Sequence, residues 1–522
     1  MFRPRLLAIG LALVLTLSAC GGGGGGDGGG PHQPPPGQGQ VQVSLTPAEI
    51  DLAPSASFQF TFSITGTNNV QTEWAATGGT ISATGMFTAP ATEGDYRVTL
   101  TSVADRSRTA TATVHVRAPT APSSAWVTGY YAGWYWNTYP PEKVDMTAMT
   151  HFVFGRVAPG SGTLAGQPGQ VINGAASAQE LPGSPYAPQT VEDFLVSRAH
   201  ASGRKALIML GGAGDGMGFY RSTADGVRRT FVVNLVNYMV QHDYDGIDVD
   251  WEDCLTPSNE CTIASGAEAQ RRLKALLSEL RTEANARPRY QGAGRQLIVT
   301  FPWYAKNINF LEPGGRVEQW EADVANMVDQ FNLMSYGIGT AYVAPGWRSW
   351  LSAPIYGATG ETPYDLDTSI RAYVATGVPR RKIGIGIGFY GMFYSPDITA
   401  PRQALSGGTQ LHADDNALAY NELRRNGFLT RGTYSWDTVA RVGYRSYSAA
   451  NGYPNGYRPS AGWPAAGMLS YEDEASIRAK GAWVRNPDTA VGGTIIWVIN
   501  YGWLDDTQTN PLLDEVKRSF LQ

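Results

Sequence analysis

Cysteine and charge are both scarce in this chain of 522 residues. It has three cysteines, and its 40 basic and 45 acidic residues make up 16% of the sequence with a net charge of −5. Such a balance leaves no basic surface for nucleic acid or an anionic membrane, so we expect no nucleic acid partner. Hydrophobic residues make up 43% of the chain. This fraction excludes global disorder, which needs low hydrophobicity and high net charge.

Hydrophobic runs long enough for a membrane span are also missing. The apolar run at residues 6–17 follows Arg3 and Arg5 and is shorter than the ~20 residues that a spanning helix needs. It predicts a signal peptide over residues 1–20 and hence an exported protein. The run ends in Leu17-Ser18-Ala19-Cys20, which resembles a bacterial lipobox and implies a lipid on Cys20; the alternative is an ordinary secretory cut. We therefore expect a cell-envelope protein, possessing no membrane attachment beyond this lipid anchor.

The two other cysteines, Cys254 and Cys261, are separated by six residues. In an exported and oxidising setting, this spacing favours a local disulfide. Zinc is disfavoured because no nearby histidine completes a four-ligand shell. No metal and no cofactor are expected anywhere in the chain.

The first part of the chain divides into linkers and a small β-rich domain. Residues 21–40 are rich in glycine and proline and predict a linker. Residues 41–118 contain short alternating stretches separated by turn signals, which predict a β-sandwich. Trp74, Gly78-Gly79-Thr80-Ile81 and residues 85–90 resemble bacterial Ig-like repeats. We favour a spacer over a polysaccharide-binding role for this domain, and residues 119–125 predict a second linker.

Residues 126–522 alternate short apolar runs with helical patterns, which is typical of an α/β protein. Eight candidate strands predict a closed (β/α)8 barrel, known as a TIM barrel. The segment around residues 392–468 interrupts the rhythm and predicts an α+β insertion after the seventh strand. The candidate strands are Trp126–Tyr131, Thr150–Phe154, Lys205–Leu210, Gly246–Trp251, Gln296–Phe301, Gln330–Tyr336, Lys382–Phe389 and Thr494–Ile499.

Acidic residues cluster on the fourth candidate strand, at residues 245–252. Side chains alternate faces along a strand, so Asp248, Asp250 and, if the strand persists, Glu252 point one way, while Ile247, Val249 and Trp251 point the other. Placing the aliphatic residues against the helices puts the acids inside the barrel, with Glu252 nearest the mouth where barrel enzymes keep their chemistry. Three neighbouring carboxyl groups in a low-dielectric interior cannot all ionise, so one proton stays available for general acid catalysis.

The pattern Asp-x-x-Asp-x-Asp-x-Glu on the fourth strand of a barrel resembles the signature of family 18 glycoside hydrolases, the chitinases. Further stretches resemble the same family, and together they cover nearly all of residues 126–522. They are Gly129-Tyr130-Tyr131-Ala132-Gly133-Trp134, Thr150-His151-Phe152, residues 331–336, Gly388-Phe389-Tyr390-Gly391, residues 469–480 and Gly493-Thr494-Ile495-Ile496-Trp497.

The resemblance implies hydrolysis of β-1,4 linkages in N-acetylglucosamine polymers, with retention of configuration through the substrate's own acetamido group. Glu252 would protonate the glycosidic oxygen, Asp250 would hold the acetamido group, and Asp248 would share a proton with Asp250. Tyr336 would donate a hydrogen bond to the acetamido carbonyl. The resemblance also implies a supporting role for Asp245 and substrate contacts for Trp497, Met334, Tyr130, Phe154, Trp251, Gly211 and Gly212.

Two positions depart from the family pattern. Met209 stands where the family often has a serine, and Gly337 follows Tyr336 where the family usually has an acid or amide. The first departure removes a hydroxyl near the acids, and the second removes one substrate contact.

Three functions remain open at this point. The first is a monomeric chitinase acting on chitin or its oligosaccharides, the second an endo-β-N-acetylglucosaminidase acting on glycoprotein glycans, and the third a non-catalytic chitin-binding lectin. The insertion favours a linear chain as substrate, and the presence of Glu252 disfavours the lectin. Tryptophans after the strands are candidates for stacking on sugar rings: Trp134, Trp136, Trp303, Trp347 and Trp350.

Overall fold

The structure is a computed structural model. It describes residues 40–116, 125–174, 189–256, 266–306, 316–448 and 466–522, except for positions 47, 53, 56, 342, 344 and 345. The signal peptide with Cys20, nearly all of both linkers, and Cys261 lie outside the described residues.

The β-rich region before the barrel contains nine strands in three small sheets. Their orders are β1-β4, β2-β9-β8-β5 and β3-β7-β6. Inward-facing residues with period two, such as Phe60, Phe87, Leu100 and Val114, form a core of their own. The strands are β1 (Gln42–Thr46), β2 (Glu49–Leu52), β3 (Ser57–Gln59), β4 (Thr61–Thr65), β5 (Thr72–Ala76), β6 (Thr80–Ile81), β7 (Met86–Thr88), β8 (Gly94–Ser102) and β9 (Thr109–Val116).

Eight parallel strands then close into a barrel, as the sequence predicted. The sheet runs from the first barrel strand to the last, and the first strand pairs with both the second and the eighth. The barrel strands are β10 (Trp126–Ala132), β11 (His151–Pro159), β13 (Lys205–Gly211), β14 (Gly246–Asp250), β15 (Ile298–Tyr304), β16 (Gln330–Met334), β17 (Ile383–Gly388) and β23 (Gly493–Trp497), and a short strand β12 (Val171–Asn173) pairs with the end of β11.

Helices cover the outside of the barrel and bury apolar stripes against it. In the longest one, Leu273, Leu276, Leu277 and Leu280 are buried at helical spacing. The helices are α1 (Val191–Ala201), α2 (Gly216–Ser222), α3 (Arg228–Gln241), α4 (Gly266–Asn285), α5 (Gln319–Met327), α6 (Leu366–Ala375), α7 (Tyr420–Arg425), α8 (Glu474–Arg485) and α9 (Pro511–Val516). Among the described residues, no helix is both long enough and apolar enough to cross a bilayer.

An antiparallel sheet is inserted between the seventh barrel strand and the helix that follows it, α8. Its five strands are β18 (Gly391–Ser395), β19 (Gln410–His412), β20 (Thr433–Asp437), β21 (Val442–Tyr447) and β22 (Gly467–Tyr471). Their spatial order is β19-β18-β22-β21-β20, and α7 lies between β19 and β20 in the chain. The inserted strands therefore lie within residues 391–471.

Candidate active site

Three acidic residues lie at the carboxyl end of β14. Asp248 and Asp250 are buried in the barrel interior, while Ile247 and Val249 are buried on the opposite face of the strand. Glu252 follows two residues after the strand ends and is half-buried at the mouth. The alternation of a strand therefore stacks the acids from the interior towards solvent.

Burial raises the pKa of all three acids, and the charges of neighbouring acids add to it for Asp250 and Glu252. Burial raises the pKa of Asp248 to about 6, although Thr300 and Tyr130 act against it. Burial, Glu252 and Asp248 raise the pKa of Asp250 well above its ordinary range, with Arg156 opposing them. Burial likewise raises the pKa of Glu252 to about 7. The cluster therefore retains a proton near neutral pH.

Hydroxyl groups from neighbouring strands surround the inner acids. Thr300 of β15 donates a hydrogen bond to Asp248 Oδ1. Burial together with the charges of Asp248 and Asp250 raises the pKa of Tyr130, so its hydroxyl stays protonated beside them. Burial, Tyr390 and all three acids raise the pKa of Tyr336, so its hydroxyl also stays protonated. Among the described residues, Asp248 Oδ2 and Asp250 Oδ1 have no hydrogen-bond partner, which leaves acceptor atoms for a shared proton and for a substrate amide.

A buried ion pair lies beside Asp250. Arg156 of β11 pairs with Asp215, whose side chain is fully buried. Arg156 also donates to the Gly211 carbonyl at 2.8 Å. A Cβ atom at Gly212 would lie 3.8 Å from both Arg156 Nη1 and Asp250 Oδ2. The guanidinium therefore supplies positive charge close to Asp250.

Aromatic rings form a wall at the mouth. The ring of Trp497 lies 5.8 Å from that of Tyr130 and 6.3 Å from that of Trp134. The indole nitrogen of Trp497 donates to Asp415 Oδ2 of the insertion at 3.0 Å. Met334 is half-buried at the end of β16. Apolar ring faces next to acids suit a sugar ring, which presents both C–H and O–H groups.

A tyrosine that the sequence did not indicate contacts the outermost acid. Tyr304, the last residue of β15, donates a hydrogen bond to Glu252 Oε2 at 3.1 Å. Asp248 is in register with Thr300. Continuing that register by four residues on each strand brings Glu252 level with Tyr304. The sequence contained this signal, but we expected the strand to end at Phe301.

Phe154 and Trp251 were predicted as substrate contacts, and the structure contradicts both. Phe154 is fully buried on the helix-facing side of β11, where it stacks on Tyr131 at 6.3 Å. Trp251 is fully buried and stacks on Phe219 of α2 at 4.9 Å. Strand alternation explains both errors, since each residue has the opposite parity to the inward-facing side chains.

Asp245 is likewise not beside the catalytic acids. It lies at the amino end of β14, about 16 Å from Asp250 at the usual rise per residue. There it accepts hydrogen bonds from His200 at 2.9 Å and Lys205 at 3.2 Å, and it pairs with Arg289. Burial acts to raise the pKa of Asp245, but these hydrogen bonds and that of the Ala206 amide have the larger effect, so the pKa lies below its ordinary value. Asp245 therefore supports the bottom of the barrel.

Gly211 and Gly212 pack closely against the protein backbone and are less available for contact with a ligand. A Cβ at Gly211 would lie 2.3 Å from Phe219 and 2.7 Å from the Asp250 carbonyl, and φ is +90° there. The Gly212 amide donates to the Asp250 carbonyl at 2.8 Å. Gly211 is thus enclosed by protein, while Gly212 borders Asp250.

Three of the five candidate sugar-stacking tryptophans are buried in the protein. Trp303 and Trp350 have no exposed surface, and Trp347 is 8% exposed. The indole of Trp303 donates to Glu321, and that of Trp350 donates to the Tyr364 carbonyl. Trp134 and Trp136 are half-buried, so they alone of the five retain surface for a ligand.

Other side chains lie where Met209 and Gly337 leave out the groups that the family usually has. Met209 is buried in register with Asp248, and Thr300 supplies a hydroxyl to that acid from the other side. A Cβ at Gly337 would lie 3.2 Å from the hydroxyl of Tyr390. Tyr390 thus occupies the space beside the position of the absent acid or amide.

Cys254 is disulfide-bonded and buried two residues after Glu252. The predicted partner, Cys261, lies outside the described residues. Arg156, Asp215, Thr300 and Asp415 were missed because they come from other elements, and nothing in a single sequence marks which strands bring them to β14.

Fold and site together define a barrel with a stacked acid triplet at its carboxyl face. The profile of Glycosyl hydrolases family 18 matches residues 127–502. The chain belongs to this family.

Known proteins with related sequence or structure carry the name chitinase. Chitinase 1 of Aphanocladium album is 25% identical over 279 residues, which cover 52% of this chain and 55% of that protein. The chain thus spans about half the length of this relative. A chitinase structure from Rhizomucor miehei matches with TM-score 0.55 and 19% identity, over 76% of this chain and 99% of that one. A mutant class V chitinase from Nicotiana tobaccum, in complex with NAG4, matches with TM-score 0.54 and 18% identity, over 76% and 99%.

Proposed function

We propose that the protein is a chitinase that hydrolyses β-1,4 linkages between N-acetylglucosamine units. The observation that carries the proposal is the stack of Asp248, Asp250 and Glu252, in which burial holds protons near neutral pH. The names of the relatives support the substrate class, and the oligosaccharide in the Nicotiana tobaccum complex supports a cleft that takes linear chains.

The proposed mechanism uses the acids in order of depth. Glu252 gives its proton to the glycosidic oxygen as the substrate's acetamido oxygen attacks the anomeric carbon. Asp250 accepts a hydrogen bond from the acetamido N–H, and Tyr336 donates one to its carbonyl. Asp248 shares a proton with Asp250, and Trp497 forms the apolar surface under the reacting sugar. Water then opens the oxazolinium ion from the original leaving side and gives one proton back to Glu252, which restores the acid and gives net retention.

The test is hydrolysis of N-acetylglucosamine oligomers. Glu252→Gln should lower kcat by at least about 10²-fold while oligomer binding persists, because general acid catalysis contributes 10²–10⁴-fold. Activity of this variant within tenfold of the wild type would reject Glu252 as the acid. Asp250→Ala should harm acetylated substrates most, and equal cleavage of deacetylated chains would reject the acetamido mechanism.

Oligomer hydrolysis, oligomer binding and a glycoprotein assay together distinguish the two other functions. Binding without hydrolysis by the wild type would indicate a lectin. Release of glycans from a glycoprotein, with oligomers left intact, would indicate an endo-β-N-acetylglucosaminidase. The inserted sheet favours the linear polymer.

We also propose that the mature protein is attached to the cell envelope through a lipid on Cys20, with the glycine-rich linker as tether and the β-rich, Ig-like domain as spacer. The sequence supports this proposal through the lipobox-like Leu17-Ser18-Ala19-Cys20. Cys20→Ser should move the protein from the membrane fraction to the soluble fraction. Unchanged partitioning would reject the anchor.

A further inference from the structure

Tyr304 stands out among the tyrosines of the barrel mouth because the residue is 42% exposed. Its hydroxyl donates to Glu252 Oε2 at 3.1 Å. Its backbone carbonyl accepts from the Tyr373 hydroxyl at 2.7 Å, and its ring meets the buried Trp303 edge-on at 5.1 Å. The backbone and one ring edge are thus held firmly, while the hydroxyl is directed at the acid.

The Glu252 oxygen to which Tyr304 donates determines which oxygen of that carboxyl group carries the proton. A protonated carboxyl group has one O–H and one oxygen that only accepts. Because Tyr304 donates to Oε2, the proton of Glu252 belongs on Oε1. When that proton passes to the glycosidic oxygen, the same hydrogen bond stabilises the carboxylate left behind.

We propose that Tyr304 is a positioning residue that fixes Oε1 of Glu252 as the proton-bearing oxygen and stabilises the carboxylate formed on proton transfer. This inference rests on the proposed glycosidase function. In the step itself, the Oε1–H bond breaks, the proton joins the leaving oxygen, and the C1–O bond electrons go to that oxygen. The acetamido oxygen forms the new bond to C1, so no other reactant is needed.

Other groups also face Glu252, and they set the sign of the expected pH effect. Burial raises the pKa of Glu252, Tyr304 and the Ala213 amide lower it, and Asp253 and Asp248 raise it. Asp250 lies next below on the same strand. Tyr336 and Tyr390, two residues beyond the ends of the sixth and seventh strands, lie close enough for the charge of Glu252 to raise their pKa values. Tyr304 is the side-chain donor among them, so its removal should raise the pKa of Glu252.

Tyr304→Phe tests the proposal because it keeps the ring and removes the hydroxyl. We expect kcat on N-acetylglucosamine oligomers to fall about tenfold or more, since hydrogen bonds to charged groups are among the stronger ones. The alkaline limb of the kcat/KM profile should move up by about half to one pH unit. An aryl glycoside with a highly activated leaving group, which needs little protonation, should be hydrolysed at close to the wild-type rate.

Tyr434→Phe is the matched control. Tyr434 is 41% exposed and also donates to a carboxylate, Asp473, at 2.8 Å, but in the insertion. Its kinetics should match the wild type. Equal losses of Tyr304→Phe on oligomer and activated substrate, or an unmoved pH profile, would overturn the positioning role.

A measurement without turnover separates this inference from the proposed function. Carbon-13 labelling of glutamate carboxyl groups gives a signal for Glu252, assigned by its loss in Glu252→Gln. Its titration midpoint should be higher in Tyr304→Phe than in the wild type. An unchanged midpoint overturns the inference. A higher midpoint in Tyr304→Phe, together with no hydrolysis by the wild type, overturns only the proposed function.

Discussion

The ionised side chains of Asp248, within β14, and Asp245, just before it, have opposite effects on the stability of the folded protein. Asp248 has a folded-state pKa raised to about 6, against an unfolded value near 3.8. Its ionisation therefore costs stability, and this cost is absent below about pH 4 and fully present above about pH 6. Asp245 has a lowered pKa, so its ion pairs contribute stability above its unfolded pKa, and this contribution is lost as pH falls.

Asp248→Asn should therefore raise the unfolding temperature of the barrel at pH 8 and leave it nearly unchanged at pH 4. The expected gain at pH 8 is about 1–3 kcal/mol, and Thr300 can still donate to the amide oxygen. Calorimetry at both pH values measures it. Asp245→Asn is the control at the other end of the strand and should lower the unfolding temperature at pH 8. A loss of stability for Asp248→Asn at pH 8 would contradict the cost of the buried charge.

Among individual residues, the sequence predicted the three acids of the site but not all the side chains that surround them. Alternation along a strand is a property of neighbouring residues, so Asp248, Asp250 and Glu252 could be placed together from the sequence alone. The same rule, applied strictly, would have excluded Phe154 and Trp251. Arg156, Thr300 and Asp415 depend on which elements lie side by side and at what register, and these are properties of the closed sheet.

Among the secondary-structure elements, the insertion is joined by hydrogen bonds to the end of the eighth barrel strand and the residues after it. Asp415 accepts from Trp497, and the adjacent Asn416 accepts from the Tyr501 hydroxyl at 2.7 Å. The amide of Gly391 also donates to the Leu418 carbonyl at 2.9 Å. This turn of the insertion, residues 414–418, therefore holds the Trp497 ring beside Tyr130 at the barrel mouth.

Asp415→Ala should raise KM for N-acetylglucosamine oligomers by about 2- to 12-fold, because a hydrogen bond worth roughly 0.5–1.5 kcal/mol no longer orients Trp497. The change in kcat should be smaller. Asp415→Asn keeps an acceptor oxygen and should stay close to the wild type. Asp506→Asn, which alters an exposed pair with Arg424, is the surface control. A KM for Asp415→Ala equal to that of the control would show that the ring is held by packing alone.

Element boundaries were predicted less well than element types. All eight barrel strands were placed from short apolar runs, since such strands are buried on both faces. The fifth extends to Tyr304, three residues beyond the predicted end, because Pro302 and the following aromatic residues can still lie in a barrel strand. That extension carries the hydroxyl that meets Glu252.

The whole molecule has two large separate cores among the described residues, one in the β-rich domain and one in the barrel. Separate cores predict separate unfolding transitions. Phe60 is buried in the first core, and Phe60→Ala should remove about 3–5 kcal/mol from that domain. Calorimetry should show the corresponding transition lowered or lost, with the barrel transition and oligomer hydrolysis unchanged.

Leu276→Ala is the reciprocal variant, since Leu276 is buried in the barrel core, and it should lower only the other transition. A single transition that moves in both variants would show that the two parts unfold as one cooperative unit.

Barrel closure has a consequence for the order in which the protein can become active. Tyr130 stands on the first barrel strand and Trp497 on the last, yet their rings meet beside the acids. During synthesis the ribosome finishes the acid-bearing strand long before it reaches Trp497. A nascent chain that has not reached Trp497 therefore has the acids without the ring beside them, and the site is complete only after the eighth barrel strand has been made.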